Sequence, residues 1–328
     1  MQRSSAFDAY VGNAAEGPNS LPRILLAGLL IVVVWVVGTL VALVAGAVLA
    51  VLWSGEPSPT SFDGFMEALE RSRLWVPSLL LSVTSLWLGL RMALRLMHRR
   101  RLSGLYGAGH RVDRTQFRRG LAAGIVVAIV SVLVGLLIDP EISATGIDPL
   151  IWLAVVPFML LIIFAQSSAE ELLFRGYLMQ ALADRFRSPW VWALVPTLLF
   201  ASIHWNPAAT LHMNLAGLGS IAALAAALAL LVWKTGNLGA AFGAHTGNNI
   251  VALLLVAPEA DYGPLSLFRV RSMSEAGWSI PHAVWSTLAG FAMAWLLAAL
   301  LLHRRSPLRI GSASAIGQPR AATDPAQG

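Results

Sequence analysis

The chain contains no cysteine in its 328 residues, and only 12% of those residues are charged. The first absence excludes disulfides, thiolate nucleophiles, cysteine-ligated zinc, iron–sulfur clusters and palmitoylation. The second excludes a water-soluble globular domain, in which about a quarter of residues are charged. Lysine is nearly missing as well, one against 22 arginines, a bias that points to a GC-rich bacterial genome. What is abundant is apolar: 57% of residues are hydrophobic and the mean hydropathy is +0.69.

The apolar residues fall in uncharged runs over 24–53, 74–90, 120–138, 149–169, 188–233, 235–258 and 276–302. Each is long enough to cross a hydrocarbon core about 30 Å thick as a helix. The run 188–233 is long enough for two spans and is broken at Trp205-Asn206-Pro207, a turn-forming cluster. The expected fold is therefore all-α, a polytopic transmembrane bundle of about eight spans. The net charge of +6 follows membrane sides instead of one continuous face, which argues against nucleic acid as a partner. With both termini placed in the cytoplasm, the inner segments hold 19 of the 23 basic residues, as the positive-inside rule requires. The expected location is the bacterial cytoplasmic membrane, multi-pass.

The chain divides accordingly. Residues 1–20 and 306–328 are rich in small and polar residues without periodicity and are expected to be disordered tails. Three spans occupy 21–148, with a basic cytoplasmic loop over 91–119 that reads as an orientation signal resting on the bilayer. Four spans occupy 149–258, and an outer loop with the last span occupies 259–305.

Two carboxylates, Glu170 and Glu171, abut an apolar run, and the apolar character resumes at Leu172-Leu173-Phe174. An ionisable group inside a membrane is a functional-site hypothesis by default, because its insertion costs several kcal/mol. On a helix Glu171 and Arg175 stand i, i+4 in the order favourable for an ion pair, while Glu170 points about 100° away. Phe200 stands one turn before His204, and His245 one turn before Asn249, so each pair shares a helix face. If the segments on either side of residue 187 form an antiparallel hairpin, about 17 residues at 1.5 Å each place Glu170 and His204 at similar height. The bland readings are boundary charges for the carboxylates and interhelical hydrogen bonds for the histidines and Asn249. His212, near Asn206 and Asn214, reads as a hydrogen-bonding loop residue, and Gly217-Leu218-Gly219-Ser220 as a helix-packing stripe.

Glu170-Glu171-x-x-x-Arg175, Phe200-x-x-x-His204 and His245-x-x-x-Asn249, in that order on successive spans, resemble the three motifs of the CAAX proteases and bacteriocin-processing enzymes, a family of intramembrane proteases. Leu172-Leu173-Phe174-Arg175-Gly176-Tyr177-Leu178 and Thr235-Gly236-Asn237-Leu238 are also similar to it, and the resemblance covers roughly 150–257. No His-Glu-x-x-His or Gly-x-Gly-Asp signature of other intramembrane proteases is present. The resemblance implies that 149–258 is the core of an intramembrane metalloprotease, with Glu170, Glu171, Arg175, His204, His245 and Asn249 as its site.

Peptide hydrolysis needs an activated water, oxyanion donors and a proton for the leaving amine. Glu170 is the candidate general base, His204 positions the same water, Arg175 holds Glu171, and His245 and Asn249 are candidate oxyanion donors. Glu170, His204 and His245 equally form an oxygen-and-nitrogen ligand set for Zn2+ or another divalent metal; spacing does not choose between this and a metal-free route. The partners so implied are the lipid bilayer and a peptide or protein substrate in or near the membrane. A non-catalytic scaffold, a bacteriocin self-immunity protein and a proton-coupled transporter are the competing functions.

Overall fold

The structure is a computed structural model and describes residues 4–55, 58–257 and 265–311. It is built almost wholly of helices: α1 (Ser5–Gly12), α2 (Leu21–Ser54), α3 (Phe62–Glu70), α4 (Trp75–Thr84), α5 (Leu86–Leu96), α6 (Arg114–Ile138), α7 (Pro149–Glu171), α8 (Met179–Arg185), α9 (Val195–Ser202), α10 (Leu211–Thr235), α11 (Gly239–Ile250) and α12 (Ile280–Leu302). Six stretches are long and apolar enough to cross a membrane, namely Leu21–Ser54, Trp75–Leu96, Arg114–Ile138, Pro149–Arg185, Leu211–Thr235 and Ile280–Leu302. The expected eight is not reached by that measure. The segment read as the fifth span folds as the shorter Trp190–Ser202, and the seventh as α11 with a π-helical turn, Val251–Leu255.

The helices begin and end where their sequences supply caps. The Asp113 and Asp148 carboxylates accept the free N–H groups at the starts of α6 and α7, and Pro149 occupies a first-turn position that needs no N–H donor. Thr210 caps α10, which ends at Gly236 in a left-handed conformation with φ of +62°. Leucines and valines of α2 such as Leu25, Leu29, Val33 and Leu40 point outward, half or more exposed. So extended an apolar face is untenable in water and suits a surface covered by lipid.

The all-α expectation needs one amendment. Strands β1 (Ile142–Ala144), β2 (Val256–Ala257) and β3 (Phe268–Val270) form a small sheet in the order β1-β3-β2 at one end of the bundle. Arg271 pairs there with Asp139 and Glu141, joining the loops after α6 and before α12.

A second correction concerns residues 1–20. Instead of a disordered tail, residues 5–16 form α1 and a following 3-10 turn, with Phe7, Tyr10 and Val11 buried in the main core. The Tyr10 hydroxyl donates to the Leu105 carbonyl at 2.9 Å and reaches those of Arg175 and Gly176 at 3.2 and 3.4 Å. Asn13 donates to the carbonyls of Gly104 and Gly107, and Gln180 to those of Tyr10 and Gly104. This segment has the polar composition of a tail, but those polar groups are spent on backbone carbonyls of other elements. Of the expected C-terminal tail, 312–328 lie outside the described residues, while Ile310 is buried.

Candidate active site

The carboxylates sit at the end of α7, where regular helix gives way to a π-helical stretch, Leu172–Leu178. Such wide turns are rare and frequent at functional sites. Here the Tyr10 hydroxyl approaches the Arg175 and Gly176 carbonyls, and the Gly176 carbonyl also accepts the Met179 N–H. Glu170 and Glu171 are both buried, at 6% and 0% exposure, so neither is a boundary charge. Glu171 is held on two sides: its Oε1 accepts from Arg175 Nη1 at 2.7 Å and from His245 Nδ1 at 2.9 Å. The other Glu171 oxygen and Nη2 of Arg175 have no hydrogen-bond partner among the described residues.

His245 reaches this place because α11 lies unusually close to α6. Gly239, Gly243 and Gly247 recur every four residues on α11, and Gly120 and Gly124 do so on α6. A methyl group at any of the five would come within 3.0 Å of a backbone oxygen on the facing helix or its cap: Asp113, Phe117 and Leu121 for the first three, Ala240 and Ala244 for the other two. Small residues on both faces let the backbones approach and fix the depth at which His245 projects. Ser167 of α7 and Thr246 of α11 share a hydrogen bond of 2.8 Å, which ties the carboxylate helix to the histidine helix.

The hydrogen bonds assign the ring protons. The ion-paired Glu171 carboxylate only accepts, so Nδ1 of His245 donates and Nε2 faces Glu170 Oε2, 3.5 Å away. A neutral ring would set a lone pair against a carboxylate oxygen, so this pair is compatible with one proton held between Glu170 and His245. His204 follows α9, and its Nδ1 donates to the Phe200 carbonyl at 2.8 Å, leaving Nε2 as an acceptor. His204 is exposed, unlike the other candidates, yet interacts electrostatically with Glu170. Phe200 stands among them, its ring centroid 4.9 Å from that of His204, 5.8 Å from that of His245 and 4.6 Å from the Arg175 guanidinium carbon. It walls the ion pair off from the exposed imidazole.

Asn249 shares the α11 face with His245, but its amide is engaged: Nδ2 donates to Gln166 Oε1 at 3.0 Å, and Oδ1 accepts from Asn248. Gln166 lies one turn before Glu170 on α7 and also interacts with that carboxylate. Nothing in the motif spacing singled out Gln166. The signal available was a polar residue inside an otherwise apolar run. His212 lies outside this group, bonded to Thr210 and the Trp278 carbonyl, and Ser220 packs against Gly290 of α12.

His204 keeps Nδ1 occupied as a donor and Nε2 free, the state in which imidazole ligates a metal, and a carboxylate behind Nδ1 of His245 is the usual support for such a ligand. The donor chemistry of Glu170, His204 and His245 therefore suits a divalent ion. Among the described residues, however, no three His, Asp or Glu side chains come together closely enough to hold one.

Comparison with known proteins bears on the same segment. An uncharacterized protein of Bacillus subtilis (strain 168), YyaK, is 28% identical over 298 residues, which cover 85% of this chain and 93% of the relative. No solved structure matches the chain. The six apolar helices agree with a multi-pass membrane protein. Residues 151–251, which hold all six candidate side chains, match the model of a family described as type II CAAX prenyl endopeptidase Rce1-like.

Proposed function

We propose that this protein is an intramembrane endopeptidase that hydrolyses a peptide bond of a membrane-associated protein or peptide. The observation that carries the reading is the shared imidazole: His245 joins a carboxylate locked by Arg175 to a second, buried carboxylate that has no arginine of its own.

In this reading Glu170 takes the proton of the attacking water. Nε2 of His204, an acceptor, orients that water from the exposed side, where substrate arrives. Glu171 does not touch the reacting atoms; it fixes the His245 tautomer and ring plane so that Nε2 addresses Glu170. The proton held between Glu170 and His245 is then available to the leaving amine. Asn249 serves as oxyanion donor only if its amide releases Gln166, so its resting role is to hold the α7 face against α11. A divalent ion, if held by Glu170, His204 and His245, would supply a water acidic enough to attack near neutral pH. Chelation of the purified protein separates the two routes, with loss of activity and its return on adding Zn2+ marking the metal route.

The test is a comparison of newly formed peptide termini in membranes of cells expressing the wild type or Glu170→Gln at matched abundance. Termini present only with the wild type support the protease and identify the bond. Identical termini leave the scaffold or self-immunity reading. Proton flux through reconstituted protein without cleavage indicates the transporter. We place both termini on the cytoplasmic side of the bacterial membrane, and do not extend the substrate to prenylated peptides.

A further inference from the structure

At the end of the bundle where α1 packs, α5 and the turn after it border an open cavity of about 320 Å3 lined by Leu102, Ser103, Tyr106 and the exposed Arg91, Arg95 and Arg101. Arg91 and Arg95 stand one turn apart on α5, and Arg101 approaches from the loop. No carboxylate lines the cavity, and none of the three guanidinium groups makes an ion pair or hydrogen bond among the described residues. Like charges one helical turn apart repel. An orientation signal needs arginines on one side of the membrane, but not three of them converging on one cavity. The other polar side chains of the lining are donors too. Ser103 offers a hydroxyl, and burial pushes the Tyr106 phenol up, which keeps its proton in place.

The level in the membrane narrows the ligand. Arg91 lies within the apolar stretch Trp75–Leu96, five residues before its end, so about 8 Å of helix separate it from the terminus. A guanidinium there extends toward the surface and lies at the depth of lipid headgroups. Arginine forks match the oxygens of phosphate in a way that isolated ammonium groups do not. We propose that this cavity binds the phosphate of an anionic phospholipid headgroup.

The loop that lines the cavity also braces the candidate active site. Leu238, just before α11, donates to the Tyr106 carbonyl at 2.9 Å, and Leu105 accepts from Tyr10, which caps the turn after Glu171. A headgroup seated here steadies both supports, but the binding itself does not depend on the protease reading.

The test is native mass spectrometry of the full chain purified in detergent, with added phosphatidylglycerol or phosphatidylcholine. The wild type retains phosphatidylglycerol in preference to phosphatidylcholine, and Arg95→Gln/Arg101→Gln loses that preference by about fivefold for each arginine removed. Arg304→Gln/Arg305→Gln, the same charge change outside the cavity, leaves it intact. If the double variant does not fold, Arg91→Gln is read in the same way. Inorganic phosphate is the competing arm: displacement of the lipid at millimolar phosphate assigns the cavity to free phosphate and overturns the lipid. Equal retention of phosphatidylglycerol by wild type and cavity variants overturns the site altogether.

Discussion

Nδ1 of His245 donates to the same Glu171 oxygen that accepts from Arg175, at 2.9 Å, across 74 residues of sequence. One carboxylate oxygen thus fixes both a guanidinium on its own helix and an imidazole on another. The remaining ring nitrogen of His245 is aimed at Glu170 as a consequence.

Removing Glu171 strands a buried charge. Glu171→Ala leaves Arg175, 1% exposed, without its carboxylate, and breaking a buried pair in this way costs about 3–5 kcal/mol. Glu171→Gln keeps an acceptor for the His245 N–H and is expected to retain more stability while losing control of the tautomer. Thermal unfolding in detergent reads the first effect, and imidazole 15N shifts read the second.

Glu170 is different, because Arg175 pairs with Glu171 and not with it. Glu170→Gln removes a buried charge while preserving shape, so stability is expected to hold or rise. Proteolysis is expected to fall by about 10²–10⁴-fold, the usual contribution of a positioned acid or base. A variant that is both unstable and inactive would mark Glu170 as structural.

Packing of α11 on α6 sets the position of His245. Gly243→Ala places a methyl within 3.0 Å of the Phe117 carbonyl oxygen and is expected to cost about 1–3 kcal/mol and to reduce activity by displacing the imidazole. Gly135→Ala, on the same α6 where nothing lies within 4 Å, is the matched control and is expected to be neutral. Unfolding midpoints of the two variants decide the matter.

Tyr10→Phe removes a hydroxyl that serves the carbonyls of Leu105, Arg175 and Gly176. Loss of these bonds is expected to cost about 1–3 kcal/mol. Deleting residues 1–16 is expected to be worse than this single change. Survival of the deleted protein at wild-type stability would show that α1 merely rests on the bundle.

His98 gives a pH dependence. Its Nδ1 donates to the Pro18 carbonyl and its Nε2 accepts from the Tyr177 hydroxyl, while burial, with Arg100 and Arg23 nearby, holds its pKa below the ordinary 6.5. The unfolded chain therefore takes up a proton that the folded one resists. The stability owed to neutral His98 is complete above pH 6.5 and declines as pH falls from there toward the folded pKa. Unfolding midpoints measured from pH 7.5 down to 5.5 are expected to fall more steeply for the wild type than for His98→Gln.

Hydropathy made the helices legible, because a backbone in lipid must satisfy its hydrogen bonds within each segment. It gave about eight spans, of which six are long apolar helices, the other two segments folding as the shorter Trp190–Ser202 and as α11 with its π-helical turn. Helical periodicity also placed Glu171 with Arg175 and His245 with Asn249 on common faces, because those relations are local. It could not show that Asn249 bonds Gln166 or that His245 bonds Glu171, since both cross from one helix to another. Composition misjudged residues 4–20, whose polar groups are matched only by carbonyls far along the chain.

By itself, the sequence determined that this protein is a bundle of apolar helices with a few ionisable residues placed against the cost of burying them. The tertiary structure alone decided which of those residues meet, which is locked by an ion pair and which faces outward. The reason is physical: burial and hydrophobic period are properties of single segments, whereas the state of a buried proton depends on distances of a few ångströms between segments, here set by the glycine contact of α6 with α11.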